Sequence, residues 1–306
     1  MLSRVANSLY WLARYLERAE NTARLINVNS HLLLDLPTSV KLGWEPIVDI
    51  LSFRDKFYET YDVADESSVI KFMVVDKEHP GSIVSSISSA RENARTLKEI
   101  IPREAWEQIN ELYLFATENS ADAFKRRTRY QYLSKIVLAN QTITGLLAGT
   151  MTHDEAYSFL RIGRNLERAD MTTRIIDVRS ASLLPDVENE SAAFRNIQWM
   201  GVLKSMTAYQ MYRREVRVRI NREDVLEFLL LESRFPRSLI HAIEEVERCI
   251  SELPHNREAV DKTRILRTQL VNAKPAQLSQ EKLHEFVDDM QAGLIEISDK
   301  VTETYF

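Results

Sequence analysis

The sequence predicts an all-α protein, a pseudo-two-fold helical bundle built from two tandem repeats. Three observations predict this class: few glycines and prolines, apolar residues at helical spacing, and a charged segment that occurs twice. Only seven glycines and eight prolines are present among 306 residues. This scarcity disfavours β-rich and α/β folds, because tight turns and phosphate loops depend on glycine. Long helices with few connections are therefore expected.

The first element is a helix, because Leu12, Leu16, Ala19, Ala23 and Ile26 recur at intervals of three and four. Positions 162, 166, 169, 173 and 176 repeat that spacing and predict a second such helix. Further helices are predicted, in order, over 44–60, 82–99, 103–125, 130–149, 193–219, 237–252, 257–272 and 279–303. Proline and turn residues place loops near Pro37, 76–81, Pro102, Pro185, 235–236, Pro254 and Pro275. No convincing alternating strand pattern is present.

The internal repetition is clearest between residues 14–28 and 164–178, where nine of fifteen positions are identical. Residues 69–84 resemble residues 225–240 in the same way, and between these anchors Trp44 and Phe57 align with Trp199 and Tyr212. We therefore predict one domain, 1–306, made of a first repeat over about 1–150 and a second over about 151–306. Similar halves tend to pack about a pseudo-two-fold axis, as identical subunits do in dimers.

Charged residues are the part of the repeat that helix propensity does not demand. Glu20 and Arg24, like Asp170 and Arg174, stand four apart in the favourable acid-first order. Such pairs are often only exposed salt bridges, but their repetition supports two other interpretations. The charges form either a buried network or a polar site in which guanidiniums bind the carboxylates or phosphates of a ligand. The candidate residues of the two motifs are Arg14, Glu17, Arg18, Glu20, Arg24, Arg164, Glu167, Arg168, Asp170 and Arg174.

Two further segments supply candidates for the same site. Residues 89–95 echo residues 20–24, and their helix could add Arg91, Glu92 and Arg95 to the network. Residues 235–238 predict the start of a helix next to Arg237. The free N–H groups of its first turn could bind an anion. The alternative is an ordinary helix that begins after a proline.

Composition and missing motifs exclude several classes of function. A net charge of −5 disfavours a nucleic-acid groove, and no apolar run is long enough for a transmembrane helix. The N-terminus does not resemble a secretory signal, so a cytoplasmic location is predicted. Neither motif helix carries histidine, and flanking arginines would repel a cation, so no metal is expected despite Glu281 preceding His284 by three residues. No nucleotide loop or nucleophile motif occurs, so no cofactor is expected, and the single Cys249 is expected in the core.

The opening residues 2–24, the internal segment 159–174, the segment 90–95 and the block 228–238 together resemble the bacterial alpha-E domain family over nearly the whole chain. The resemblance implies an all-helical fold with prominent glutamates. It also implies a genetic context of ATP-grasp-type peptide ligases, transglutaminase-like proteases and sometimes a proteasome-like peptidase. It does not imply a mechanism.

Three hypotheses for function follow. The first is a non-catalytic accessory protein of a peptide-ligation or peptide-tagging system, presenting its paired Glu/Arg clusters to a peptide or to an ATP-grasp ligase. The second is an enzyme of amide-bond chemistry that uses Glu17 or Glu167 as a general base. Neighbouring arginines lower a carboxyl pKa and so disfavour such a base near neutral pH. The third is a scaffold in which the charges are purely structural.

Overall fold

A computed structural model describes residues 1–35, 43–181, 192–216 and 220–306. Within these ranges the chain is α-helical, with two short 3-10 helices at Ser120–Phe124 and Pro275–Gln277 and no β-strand. The α-helices are α1 (Ser3–Asp35), α2 (Glu45–Ile50), α3 (Arg54–Tyr58), α4 (Glu66–Val74), α5 (Ile83–Thr96), α6 (Arg103–Glu118), α7 (Arg126–Thr150), α8 (Glu155–Ala181), α9 (Ala192–Ser205), α10 (Tyr209–Val216), α11 (Arg222–Leu231), α12 (Leu239–Ser251), α13 (Arg257–Asn272) and α14 (Gln280–Tyr305). The all-α prediction is confirmed. The loops predicted near Pro37 and Pro185, and the end of the helix predicted over 193–219, lie outside the described residues.

The chain divides into two compact units. Unit 1 contains Met1–Glu167 together with Tyr305–Phe306, and unit 2 contains Arg168–Thr304. The division falls inside α8, whereas the sequence similarity divides the chain near residue 150.

Unit 1 is built around α1, a helix of 33 residues. It packs against α5 and α7, and α6 packs against both of these helices. Leu9, Leu12, Leu25 and Ile26 of α1 are fully buried, as the three-and-four spacing predicts. This packing fixes the helix that carries the first charged motif.

In unit 2, α12 packs against α11 and α13. Its buried residues include Leu239, Ala242, Ile243 and Val246, which form one face of the helix. Cys249 belongs to the same buried face, so its predicted place in the core is confirmed. None of the helices in the described residues is both long and apolar enough to span a bilayer.

Two predicted helices are interrupted at residues that do not usually end a helix. The helix predicted over 44–60 is two helices, α2 and α3, because Ser52 takes a left-handed conformation with φ of 55°. Thr207, with φ of 54°, separates α9 from α10 in the same way. Its N–H donates to the carbonyl of Lys204 at 3.0 Å. Helix ends of this kind usually carry glycine, so serine and threonine conceal them in the sequence.

Corresponding segments of the two units share local features, each described within its own unit. Ser82 caps α5 by accepting the Ser85 N–H, and Ser238 caps α12 by accepting the His241 N–H, both at 3.2 Å. In each unit the residue before the proline of this segment carries a ring that contacts an aromatic residue of the preceding helix. Phe72 of α4 stacks on His79 in unit 1, and Phe228 of α11 contacts Phe235 in unit 2. These details agree with the tandem duplication, which stays a prediction.

Candidate functional site

The centre of the site in unit 1 is the carboxylate of Glu167, which is only 2% exposed. Arg14 donates from Nε to its Oε2 at 2.7 Å. Arg18 donates from Nε to Oε1 at 2.7 Å and from Nη2 to Oε2 at 3.0 Å, a two-pronged contact. The acidic residue of the second motif is therefore held by two arginines of the first motif, 149 and 153 positions earlier in the chain.

A close approach of α1 and α8 makes this contact possible. A Cβ atom on Gly163 would lie 2.2 Å from the carbonyl oxygen of Tyr10, a distance that real atoms do not adopt. Glycine is therefore required at this position of α8. One turn later, at Glu167, the short separation lets side chains of α1 reach the carboxylate directly.

Aromatic residues of α1 hold the two arginines in place. Arg14 donates from Nη1 to the Tyr10 hydroxyl at 2.9 Å, and its guanidinium lies 5.4 Å from the Trp11 ring centroid. The guanidinium of Arg18 lies 5.7 Å from the ring of Tyr15. Sequence reasoning missed these three aromatic residues, although each precedes its arginine by three or four positions and so shares its helix face.

The electrostatics of Glu167 are decided by competition between burial and charge. Burial favours the neutral acid, but the charges and hydrogen bonds of Arg18 and Arg14 outweigh it. They lower the pKa of Glu167 to about 2. The carboxylate is therefore ionised near neutral pH and is a poor proton acceptor.

The two pairs predicted at a spacing of four residues within the motif helices are confirmed. Glu20 accepts from Arg24 in α1, where both side chains are largely buried. Asp170 accepts from Arg174 Nε at 2.8 Å in α8, where each side chain is about one-fifth exposed. The two pairs therefore share geometry but differ in burial.

Glu17 and Glu20 border a small cavity in unit 1, together with Arg164 and Asn140. Its volume is about 20 Å³. A water molecule needs about 10–15 Å³, so this space suits one water rather than a peptide side chain. Arg168, the remaining motif residue, is partly buried at the first position of unit 2.

The segment at 91–95 makes its contacts on the α5–α6 side of unit 1. Glu92 is about half exposed and accepts from Arg91 and Arg95, both at 2.9 Å. Arg91 also donates to Asn110 of α6 at 2.8 Å. Among the described residues, these three side chains form no hydrogen bond or ion pair with the charged residues of α1.

Arg237 lies in unit 2 immediately before the α12 cap and is 9% exposed. Its carbonyl oxygen accepts from the Thr172 hydroxyl of α8 at 3.1 Å. The hydroxyl of Ser238 already binds an amide of the first turn of α12. Helix capping therefore accounts for part of the geometry that suggested an anion site there.

Metal-ligating side chains come together around His284, on α14 of unit 2. Asp177 lies 2.6 Å from its Nδ1, and Asp288 lies 3.7 Å from its Nε2. The hydrogen bond to Asp177 raises the pKa of His284, which favours the imidazolium. The three side chains form a group that could hold a metal ion, and two of them, His284 and Asp288, are exposed.

The fold and this geometry define an all-helical protein whose repeated charged motif contributes a buried carboxylate–guanidinium cluster. Residues 1–306 match the model of the Alpha-E family, described as a predicted alpha-helical domain with a conserved ER motif. The chain belongs to this family. Glu-Arg pairs stand at 17–18 and 167–168, the centre of each motif.

Similar curated proteins are uncharacterised proteins of Mycobacterium bovis and Mycobacterium tuberculosis. Each of these two is 24% identical over 98% of this chain. The match covers 36% of each relative, so the chain spans about a third of their length. No solved structure matches the chain.

Proposed function

We propose that this chain is a non-catalytic accessory protein of a bacterial peptide-ligation or peptide-tagging system. In this role it binds a peptide, or the ATP-grasp-type ligase that acts on the peptide, in the cytoplasm. A transglutaminase-like protein is the second partner that the family context suggests. The partners rest on the family resemblance, and the location is carried over from the sequence-based prediction. The geometry of the charged site supports the non-catalytic role.

The observation that carries the non-catalytic role is the pairing of Glu167 with two arginines. A general base needs a pKa near the working pH and an open position for the proton that it removes. Glu167 has a pKa of about 2 and accepts three hydrogen bonds from Arg14 and Arg18. The alternative of amide-bond chemistry with this residue as base therefore lacks support.

The burial of the motif glutamates favours a structural use of the clusters. Glu17, Glu20 and Glu167 are each at most 3% exposed, and the cavity beside the first two has the volume of about one water. A cluster presented directly to a peptide would need carboxylates that the peptide can reach. The scaffold hypothesis, in which these charges clamp helices and partners bind elsewhere, fits these values better.

The accessory role is tested with an ATP-grasp-type ligase from the same source. The rate of ATP-dependent peptide ligation is measured with the ligase alone, with the full chain alone, and with both. We expect no turnover by the full chain alone and a faster reaction when it is added to the ligase. Turnover of peptide or ATP by this chain alone would overturn the proposal, and so would an unchanged ligase rate.

A pair of variants separates the binding-site and scaffold readings of the clusters. Glu167→Gln removes the buried charge, and Glu92→Gln is the matched control because Glu92 also accepts from two arginines but is half exposed. The scaffold reading predicts a lower melting temperature for Glu167→Gln. The binding-site reading predicts an unchanged melting temperature with loss of ligase or peptide binding.

A further inference from the structure

A larger cavity lies in unit 1, lined by residues of α1, α4 and α7 and by the residue that precedes α2. Its volume is about 180 Å³, and apolar surface makes up most of its walls. An engineered protein cavity of about 150 Å³ holds benzene. The space is therefore sufficient for one six-membered ring, whereas the cavity at the Glu/Arg motif is not.

Aromatic side chains form the walls of this cavity. The His31 and Tyr130 rings meet edge to face with centroids 5.2 Å apart, and the guanidinium of Arg129 lies 5.7 Å from the Trp44 ring. Trp44 is buried, whereas Tyr130 is 55% exposed. A planar ring entering past Tyr130 could gain aromatic contacts beyond the burial of its surface.

Positive charge exceeds negative charge in the lining. Glu66 accepts from Arg126 and forms an ion pair with Arg129 Nη1 at 2.8 Å, so two guanidiniums face one carboxylate. Arg129 is 4% exposed, and its Nε donates to the Ala123 carbonyl at 2.7 Å, which fixes the guanidinium. Guanidinium groups bind carboxylates and phosphates through paired, charge-assisted hydrogen bonds. The largely apolar walls of the cavity favour a carboxylate that is attached to a ring.

The lining also contains an unmatched acceptor. Asn27 donates to Ser134, but its side-chain oxygen is buried and has no hydrogen-bond partner among the residues that the structure describes. A buried acceptor without a donor is unfavourable, so an occupant with an O–H or N–H group would stabilise it. The unmatched acceptor and the surplus positive charge are independent observations that both indicate a polar ligand.

We propose that this cavity binds small aromatic carboxylates that carry a hydroxyl or amino group. The ring lies between Trp44 and Tyr130, and the carboxylate binds at Arg126 and Arg129. The hydroxyl or amino group donates to Asn27. The proposal does not depend on the accessory role, because it uses none of the charged residues of the two motifs.

Titration with para-hydroxybenzoate tests the proposal, with binding to the full chain followed by ligand-observed NMR. For a ligand of this size we expect a Kd on the order of 1 mM. The neutral para-hydroxybenzamide should bind at least about tenfold more weakly, because it loses the charge-assisted bonds. Inorganic phosphate should not compete. Equal binding of acid and amide, no binding of the acid, or competition by phosphate would each overturn the proposal.

Substitutions in the lining test whether para-hydroxybenzoate binds in this cavity. Arg126→Gln should weaken para-hydroxybenzoate about tenfold, and it should fold, because the Arg126 side chain is 75% exposed. The matched control is Arg103→Gln, which removes an arginine from another exposed pair in unit 1, with Glu107. Tyr130→Ala should also weaken binding of both acid and amide. An unchanged Kd in Arg126→Gln and Tyr130→Ala, or an equal loss in Arg103→Gln, contradicts the assignment to this cavity.

Discussion

Replacing Glu167 by glutamine measures the contribution of the buried carboxylate directly. The substitution keeps the shape of the side chain but leaves Arg14 and Arg18 facing a neutral group. The pKa of Glu167 falls from 4.5 to about 2 on folding. At 1.36 kcal/mol per pKa unit, this shift corresponds to about 3 kcal/mol of stability. Removal of one partner from a buried ion pair costs a similar amount, about 3–5 kcal/mol. We therefore expect the free energy of unfolding to fall by about 3 kcal/mol at neutral pH.

The stability difference between wild type and Glu167→Gln should depend on pH. A carboxyl whose pKa is lower in the folded protein stabilises the fold above its unfolded pKa, and it loses that effect as pH falls toward its folded pKa. The difference between wild type and Glu167→Gln should thus be full near pH 7 and shrink from about pH 4.5 toward pH 2. Urea unfolding followed by circular dichroism at about pH 7, 4 and 3 measures both quantities.

The control is Glu92→Gln, which removes a half-exposed carboxylate with two arginine partners. Exposed ion pairs contribute only about 0–1 kcal/mol, so this variant should unfold close to wild type. A loss below about 1 kcal/mol in Glu167→Gln would refute the reasoning. A difference from wild type that does not decrease in acid would refute it equally.

Three further predictions concern other parts of the chain. Burial lowers the pKa of His79 from 6.5 to about 4. Wild type should therefore lose about 3 kcal/mol of stability as pH falls from 6.5 to 4, whereas His79→Phe should not. Equal loss of stability in acid for both proteins, measured by urea unfolding, would contradict this. Gly163→Ala should destabilise by about 1–3 kcal/mol because its Cβ meets α1 backbone. By contrast, Gly145→Ala, with open space around it, should gain about 0.5–1 kcal/mol, and thermal unfolding that gave both variants the same sign would contradict the packing argument. The hydrogen bond to Asp177 raises the pKa of His284, so the midpoint of its NMR titration should lie above 6.5. The stability that this bond contributes should be lost as pH rises through that midpoint. A midpoint below 6.5 would contradict the hydrogen bond to Asp177.

Most of the helices were predictable because their apolar residues recur at one spacing over many turns. The short helices α4 and α11, of nine and ten residues, are not among the predicted ones. The spacing in α1 and α12 is long and regular, and both helices bury the expected faces. The breaks at Ser52 and Thr207 were not predictable, because neither residue type favours the left-handed conformation that it adopts. Local propensity is weak at such positions, and the surrounding packing decides the backbone.

The candidate site was predictable in composition but only partly in pairing. The repeated charges placed Arg14, Arg18 and Glu167 among the candidates without pairing them. The four-residue spacing predicted the pairs Glu20–Arg24 and Asp170–Arg174. The distance between α1 and α8 cannot be read from the sequence, so an open site and a buried cluster could not be distinguished. The lining of the aromatic cavity was missed because Trp44, Glu66 and Tyr130 lie on different elements and share no sequence pattern.

The three-residue cluster of Arg14, Arg18 and Glu167 also limits how the sequence can change in evolution. An apolar trio of the same volume could be as stable as the charged one, but single substitutions lead to it only through proteins with an uncompensated buried charge. Each intermediate would lose a large part of an ordinary stability margin of about 5–15 kcal/mol. The cluster can therefore persist for lack of an accessible route to its replacement, even without a role in chemistry. A family described by a conserved Glu-Arg motif is what such a mutational barrier would leave behind.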